Sequence, residues 1–182
     1  MLARPARSAL HRAAAAWFDA TGLVHEAIEH ALAAGETTRA AAMIERNFDD
    51  LVERAEGATV DRWVAALPAG LVRTRTRLLL AQALWVTWSG RLAEAEQLIA
   101  DAERALEDAS NEPGERLDAS ASQLANVPAM IDLLRAGIAW RRGETEQMEA
   151  FAQQARVRLS ADDRSLRLIV DWYLAAADWL RG

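Results

Sequence analysis

Residues 22–45 read GLVHEAIEHALAAGETTRAAAMIE. One device occurs here twice: a Gly, four mostly polar residues, then an Ala that opens an apolar helical face. Gly22 leads to Ala27 and Gly35 to Ala40; the device returns from Gly90 to Ala95 (GRLAEA) and, weakened, from Gly143 to Met148 (GETEQM). Glycine accepts the left-handed backbone that ends a helix, and a small residue one turn into the next helix lets two helices approach closely. A chain that repeats this operation is predicted to be a right-handed solenoid of helical hairpins. Such stacks bind and transmit more often than they catalyse.

Composition agrees with an all-α fold. Hydrophobic residues make up 52% of the 182, much of it Ala, and only nine Gly and four Pro interrupt them. No stretch alternates apolar and polar residues for a strand's length. The absence of Cys excludes disulfides, iron–sulfur clusters and thiol catalysis, and fits a reducing compartment. All 21 basic residues are Arg, so Schiff-base chemistry and a phosphate-loop Lys are excluded as well. A net charge of −6 argues against nucleic-acid binding by the chain as a whole. The most apolar run, Leu78 to Trp88, is broken by Gln82 and Thr87 and reads as a buried helix, not a membrane span.

In order, residues 1–7 read as a linker with Arg4 and Arg7. A first helix is expected over 8–20 with Ser8 as its N-cap, a second over 23–34, and a third from Thr37 to about Ala55. A short helix around Val60 to Leu67 stops at Pro68, and another turn covers Ala69 to Val72. The basic patch Arg73, Arg75 and Arg77 then leads into the helix ending at Trp88. Its partner after Gly90 carries Leu92, Ala95, Ile99, Ala102 and Leu106 on one face. Residues 107–122 lose the pattern and read as a loop. From 123 to 182 further helices of the same domain follow: one to Trp140 that starts or breaks near Pro128, one from Glu144 to Leu159, and a last one opened by a capping-box-like Ser160 to Asp163.

The repeat length points to a known architecture. Gly22 to Gly90 is 68 residues, twice the 34-residue tetratricopeptide period. Aligning on the turn glycines puts small-residue positions at Ala15, Ala27 and Ala34, at Ala83, Ala95 and Ala102, and at Ala136, Met148 and Ala155. The interval from Gly90 to Gly143 is 53, so the repeats are degenerate and unequal, with the 107–122 loop absorbing the excess.

Chemistry-bearing residues are few. His25 and His30 lie five apart, which turns the second about 140° from the first around a helix, so they do not make a two-ligand metal face. His30 is expected at the edge of a helix–helix contact, and His11 on an exposed first helix. No Ser sits in a nucleophile elbow, and the acid pairs Glu94 with Glu96 and Asp162 with Asp163 read as solvated or capping. Neither catalysis, a cofactor nor a metal is expected. Arg73, Arg75 and Arg77 could grip an acidic partner or a phosphate, although a solvated helix-flanking cluster is the favoured reading. The Trp set (17, 63, 85, 88, 140, 172, 179) could line a groove; Trp85 and Trp88, three apart on one face, favour core packing instead.

The wording of residues 10–45, LHRAAAAWFDATGLVHEAIEHALAAGETTRAAAMIE, is similar to the segment joining the winged-helix module to the helical arm in MalT-type, ATP-dependent LuxR-family transcriptional regulators. Residues 62–103, with Trp63, Leu67 and Pro68 ahead of an Arg-rich stretch and a Gly-turn hairpin, resemble the next part. The resemblance implies a cytoplasmic signal-transducing regulator in which this stretch receives an inducer or partner, or contacts other domains of the same protein. The phosphate-binding loop and the DNA-reading helix of that family do not occur here, so ATP hydrolysis and DNA binding are not carried over. Two readings follow: a regulatory segment of such a regulator, or a free-standing tetratricopeptide-like adaptor for protein–protein contact.

Overall fold

The computed structural model describes residues 4–54, 56–111, 126–161 and 163–182, and every regular element among them is helical. Residues 1–81 and 82–182 form two compact units. The first holds α1 (Arg4–Ala20), α2 (Val24–Ala34), α3 (Thr37–Arg46), α4 (Phe48–Glu53), α5 (Gly57–Ala65) and α6 (Ala69–Val72). The division falls inside α7 (Thr76–Trp88). The second unit continues with α8 (Leu92–Asn111), α9 (Val127–Arg142), α10 (Thr145–Arg158) and α11 (Arg164–Arg181).

The glycine device behaves as its chemistry requires. Gly90 and Gly143 have φ of +79° and +74°, and Gly22 and Gly35 match them. Each closes its helix with the same pair of bonds. At Gly143 the amide donates to the Trp140 carbonyl and the next amide, Glu144, donates to the Ala139 carbonyl. The residue five past the Gly then makes the first intrahelical bond of the following helix: Ala27 to Leu23, Ala40 to Glu36, Ala95 to Arg91, Met148 to Glu144. That residue is buried in all four cases. Of the nine aligned small-residue positions, Ala34 alone is half-buried and the other eight are buried.

In the first unit α2 packs against α1, α3 and α5. Ile28, Ile44, Phe48 and Trp63 are the large side chains of its core, and Trp63 is its largest buried residue. In the second unit α9 is buried along nearly its whole length and is flanked by α8, α10 and α11. Ala155, Leu159 and Val170 meet Ala129 and Leu133 around Tyr173 and Leu174, while Met148 and Ala177 meet Ala136 and Ala139.

Several expected boundaries move. Residues 4–7 are helical, the first turn of α1, and Ser8 lies inside that helix with its hydroxyl donating to the Ala34 carbonyl at 2.8 Å, so it is not a cap. The expected helix 37–55 divides at Asn47, whose side-chain amide donates to the Met43 carbonyl and diverts the backbone there. The α8 helix continues through residues 107–111, which had read as loop, because Glu107, Asp108 and Ala109 cost little in a helix already nucleated. The remainder of that loop lies outside the described residues. Val127 and Pro128 open α9, Pro in the first turn where its missing N–H costs nothing. Ser160 does not cap α11. Its amide and hydroxyl both donate to Asp163 Oδ2, half of a capping box, and the helix starts one residue later at Arg164.

One glycine is held by packing alone. A Cβ on Gly137, inside α9, would lie 2.9 Å from the Tyr173 hydroxyl oxygen and 3.8 Å from the Thr87 methyl. Ala for Gly in a helix gains about 1 kcal/mol, whereas overpacking costs about 1–3 kcal/mol. Gly137→Ala is therefore expected to destabilise the second unit, and the same change in a Tyr173→Phe background to stabilise it. Urea titrations of the four proteins in this cycle check the sign reversal.

Candidate functional site

The three candidate arginines do not share one exposed face. Arg73 is exposed. Arg75 donates to Glu45 Oε2 at 2.6 Å, and both side chains are mostly buried. Burial raises the Glu45 pKa above the ordinary carboxylate value, opposed by the charges of Arg75 and Arg77. Arg77 is 7% exposed, with its guanidinium 5.6 Å from the centre of the Phe48 ring. Alternate residues along a chain entering a helix point in different directions, so their closeness in sequence does not become a shared face. Two of the three are parts of the fold.

The histidines pair across helices in ways that spacing along one helix does not reveal. His11 and His30 approach with their Nδ1 atoms 2.8 Å apart, one donating and the other accepting. Phe18 stacks on His30 at 5.3 Å between ring centres. His25 meets Glu56 and stands edge-on to Trp63, whose indole N–H donates to Glu29 Oε1 at 2.7 Å. Among the described residues no three His, Asp or Glu converge as metal ligands.

The aromatic set divides. Trp63 is core, as packing predicts, but Trp88 is 68% exposed with the Arg141 guanidinium 5.8 Å from its ring centre. Trp85 and Trp88 therefore do not share a buried face. Val86 and Thr87 in the last turn of α7 stay buried, while Trp88 turns outward, where Arg141 donates to its carbonyl and lies over its ring. Trp17, Trp140, Trp172 and Trp179 are also exposed.

A concave feature lies in the second unit, between α8, α9 and α10. It encloses about 280 Å³ and is lined by Glu96, Ile99, Arg135, Ile138, Arg142 and Phe151 among others. Arg142 makes a two-pronged contact with Glu96 at 2.7 and 2.9 Å. That bond holds the Glu96 carboxyl below the ordinary range and the Arg142 guanidinium above its own. Arg135 pairs with Glu103 at 2.9 Å and lies 6.0 Å from the Phe151 ring centre. The groove thus has an apolar floor and two arginines paired with carboxylates of one neighbouring helix, Glu96 exposed and Glu103 half-buried. Among the residues lining it, no acid and base converge on a common point. The sequence signal for it was weak: Glu96 and Glu103 on α8 and Arg135 and Arg142 on α9 are each seven apart, two matching rows of opposite charge.

Elsewhere on α9 Asp132 is buried, with Oδ2 3.0 Å from an Arg158 nitrogen. Burial raises its pKa above 3.8, against the opposing charges of Arg158 and Arg135 and with a smaller push from Glu103. A raised carboxyl pKa means that the folded protein penalises the charged form. The stability contribution of Asp132 is greatest below about pH 3.8 and declines as pH rises through the interval up to its raised value. Asp132→Asn is expected to be at least as stable as the parent at pH 7, with the advantage vanishing near pH 3.5. Denaturant midpoints for both proteins at the two pH values test this; a variant weaker at pH 7 would show that the Arg158 pair outweighs burial.

Over 146 residues, 80% of the chain, it is 32% identical to the HTH-type transcriptional regulator MalT of Serratia proteamaculans and equally to that of Yersinia enterocolitica. The chain is similar to a segment of MalT-type regulators. Over 127 residues, 70% of the chain, it is 35% identical to the serine/threonine-protein kinase PknK of Mycobacterium tuberculosis. It spans 15% of the length of the MalT relatives and 11% of PknK. No protein-family model and no solved structure matches the chain. Among the described residues no helix is long and apolar enough to cross a membrane.

Proposed function

We propose that this chain is a non-catalytic, regulatory helical-repeat segment of a LuxR-family regulator of the MalT type. In this reading it works in the cytoplasm by contact with a protein or small-molecule inducer, or with other domains of the same regulator. The observation that carries the reading is the shared stretch. Windows of 146 and 127 residues in a chain of 182 must overlap, so much the same segment occurs in a transcription regulator and in a protein kinase. Contact-mediated regulation is a role that a segment common to a transcription regulator and a protein kinase suits in either setting. The four glycine turns and the buried small residues support a degenerate tetratricopeptide-like array. The groove containing Arg135, Arg142 and Phe151 is the place where an acidic ligand or peptide would enter, displacing Glu96 from Arg142.

Calorimetry of the chain with Mg-ATP and with duplex DNA is expected to show no saturable binding. Exchanging the matching segment of the Serratia regulator for this one is expected to leave promoter binding intact and alter the response to inducer. Tight ATP binding by the chain, or a chimera with unchanged regulation, would sink the reading. The exposed tryptophans favour the second reading, a free-standing adaptor, which requires that the isolated chain capture one protein partner stably.

A further inference from the structure

The contact between α1 and α2 brings two imidazoles together. His11 of α1 and His30 of α2 hold their Nδ1 atoms 2.8 Å apart, with ring centres separated by 5.0 Å. Both residues are half-buried. Fully buried Ala15 on α1 and Ala27 and Ala31 on α2 let the two helices approach closely. Two further links cross beside the pair: the Ser8 hydroxyl donates to the Ala34 carbonyl at 2.8 Å, and Arg12 donates to Glu36 at 2.6 Å. Phe18 stacks on the His30 ring at 5.3 Å between centres. The two nitrogens are thus held by rigid elements and by packed neighbours, as a preorganised site requires.

Their separation is that of cis ligands on one metal ion. Metal–imidazole bonds of about 2.0–2.1 Å set at a right angle place the nitrogens about 2.8–3.0 Å apart, and at the tetrahedral angle about 3.3–3.4 Å apart. The observed 2.8 Å fits the right angle. We propose that His11 and His30 form a two-imidazole site for a divalent late transition metal of tetragonal preference, Cu²⁺ or Ni²⁺, with water in the other positions. Imidazole suits both ions, and Cu²⁺ heads the affinity order at nitrogen sites. The helical spacing that separates His25 from His30 does not apply to this pair, because its ligands come from two helices. Without metal, one ring donates its Nδ1 proton to the other. With metal, each neutral ring carries its single proton on Nε2 and gives the Nδ1 lone pair to the ion, so no proton is lost. The charge of Arg12, next to His11, is balanced by Glu36. A bound ion would tie α1 to α2 and stabilise the folded first unit by mass action.

Titration of the whole chain, without an affinity tag, with CuCl₂ tests this by calorimetry and electron paramagnetic resonance. The expected result is one tight ion per chain with two imidazole nitrogens in its spectrum. The thermal midpoint should rise with Cu²⁺ and return on addition of EDTA. His11→Gln and His30→Gln are each expected to weaken binding at least about tenfold and to abolish the rise. Gln keeps a polar group that can hydrogen-bond to the remaining ring, and circular dichroism verifies that both variants fold. His25→Gln should leave the affinity unchanged, since that ring faces Glu56 and Trp63 instead. A parent chain that binds Cu²⁺ no more tightly than the double variant, a spectrum with a single imidazole, or a midpoint indifferent to the metal would overturn the proposal. So would binding lost in His25→Gln and kept in the other two.

Discussion

Replacing Trp63 with Ala is expected to cost the first unit about 3–5 kcal/mol, as for other fully buried aromatic residues. Trp63, on α5, is its largest buried side chain, edge-on to His25 of α2, and the space it leaves lies between two helices held by their other contacts. Trp63→Phe keeps most of the volume but loses the indole N–H bond to Glu29. Glu29 is about half exposed and water replaces the lost donor, so this change should cost about 1 kcal/mol. Guanidinium unfolding followed by circular dichroism distinguishes the two. A loss below about 1 kcal/mol for Trp63→Ala would mean that the ring does not anchor this core.

The second large effect separates three residues that the sequence places together. Arg73→Ala should change stability by no more than about 0.5 kcal/mol, as exposed substitutions do. Arg75→Ala leaves Glu45 buried without its partner, which costs roughly 2–3 kcal/mol after discount for the partial exposure of the pair. Arg77→Ala removes a buried stem as well as a charge over Phe48 and should cost at least as much. Glu45→Gln in the Arg75→Ala background should recover part of the loss by removing the stranded charge. Thermal melts of the set check the order; equal, small effects at all three positions would return the trio to the status of a free surface patch.

These two tests also show why the site was harder to read than the fold. A helical fold needs only local rules: glycine after a helix, a small residue five positions on, apolar residues at three and four. Those rules identified Gly22, Gly35, Gly90 and Gly143, and all four adopt the left-handed turn. Boundaries failed where a side chain made a bond the pattern does not encode, as Asn47 does to Met43 and Ser8 to Ala34. The surroundings of the candidate arginines and histidines were illegible for a related reason. Arg75 and Arg77 found Glu45 and Phe48, some thirty positions away in the chain, while His11 found His30. Partners at that separation are chosen by packing.

Sequence alone therefore determined that the chain is helical, where most helices turn, and which small residues are buried, because each of these depends on neighbours within about five positions. Tertiary structure decided which arginines are buried, which tryptophans face water, and that α8, α9 and α10 enclose a groove with Arg135 and Arg142 at its rim. Those outcomes depend on which helix faces bury each other. The energy of burying a face is shared among side chains far apart in the chain, and no short stretch contains it.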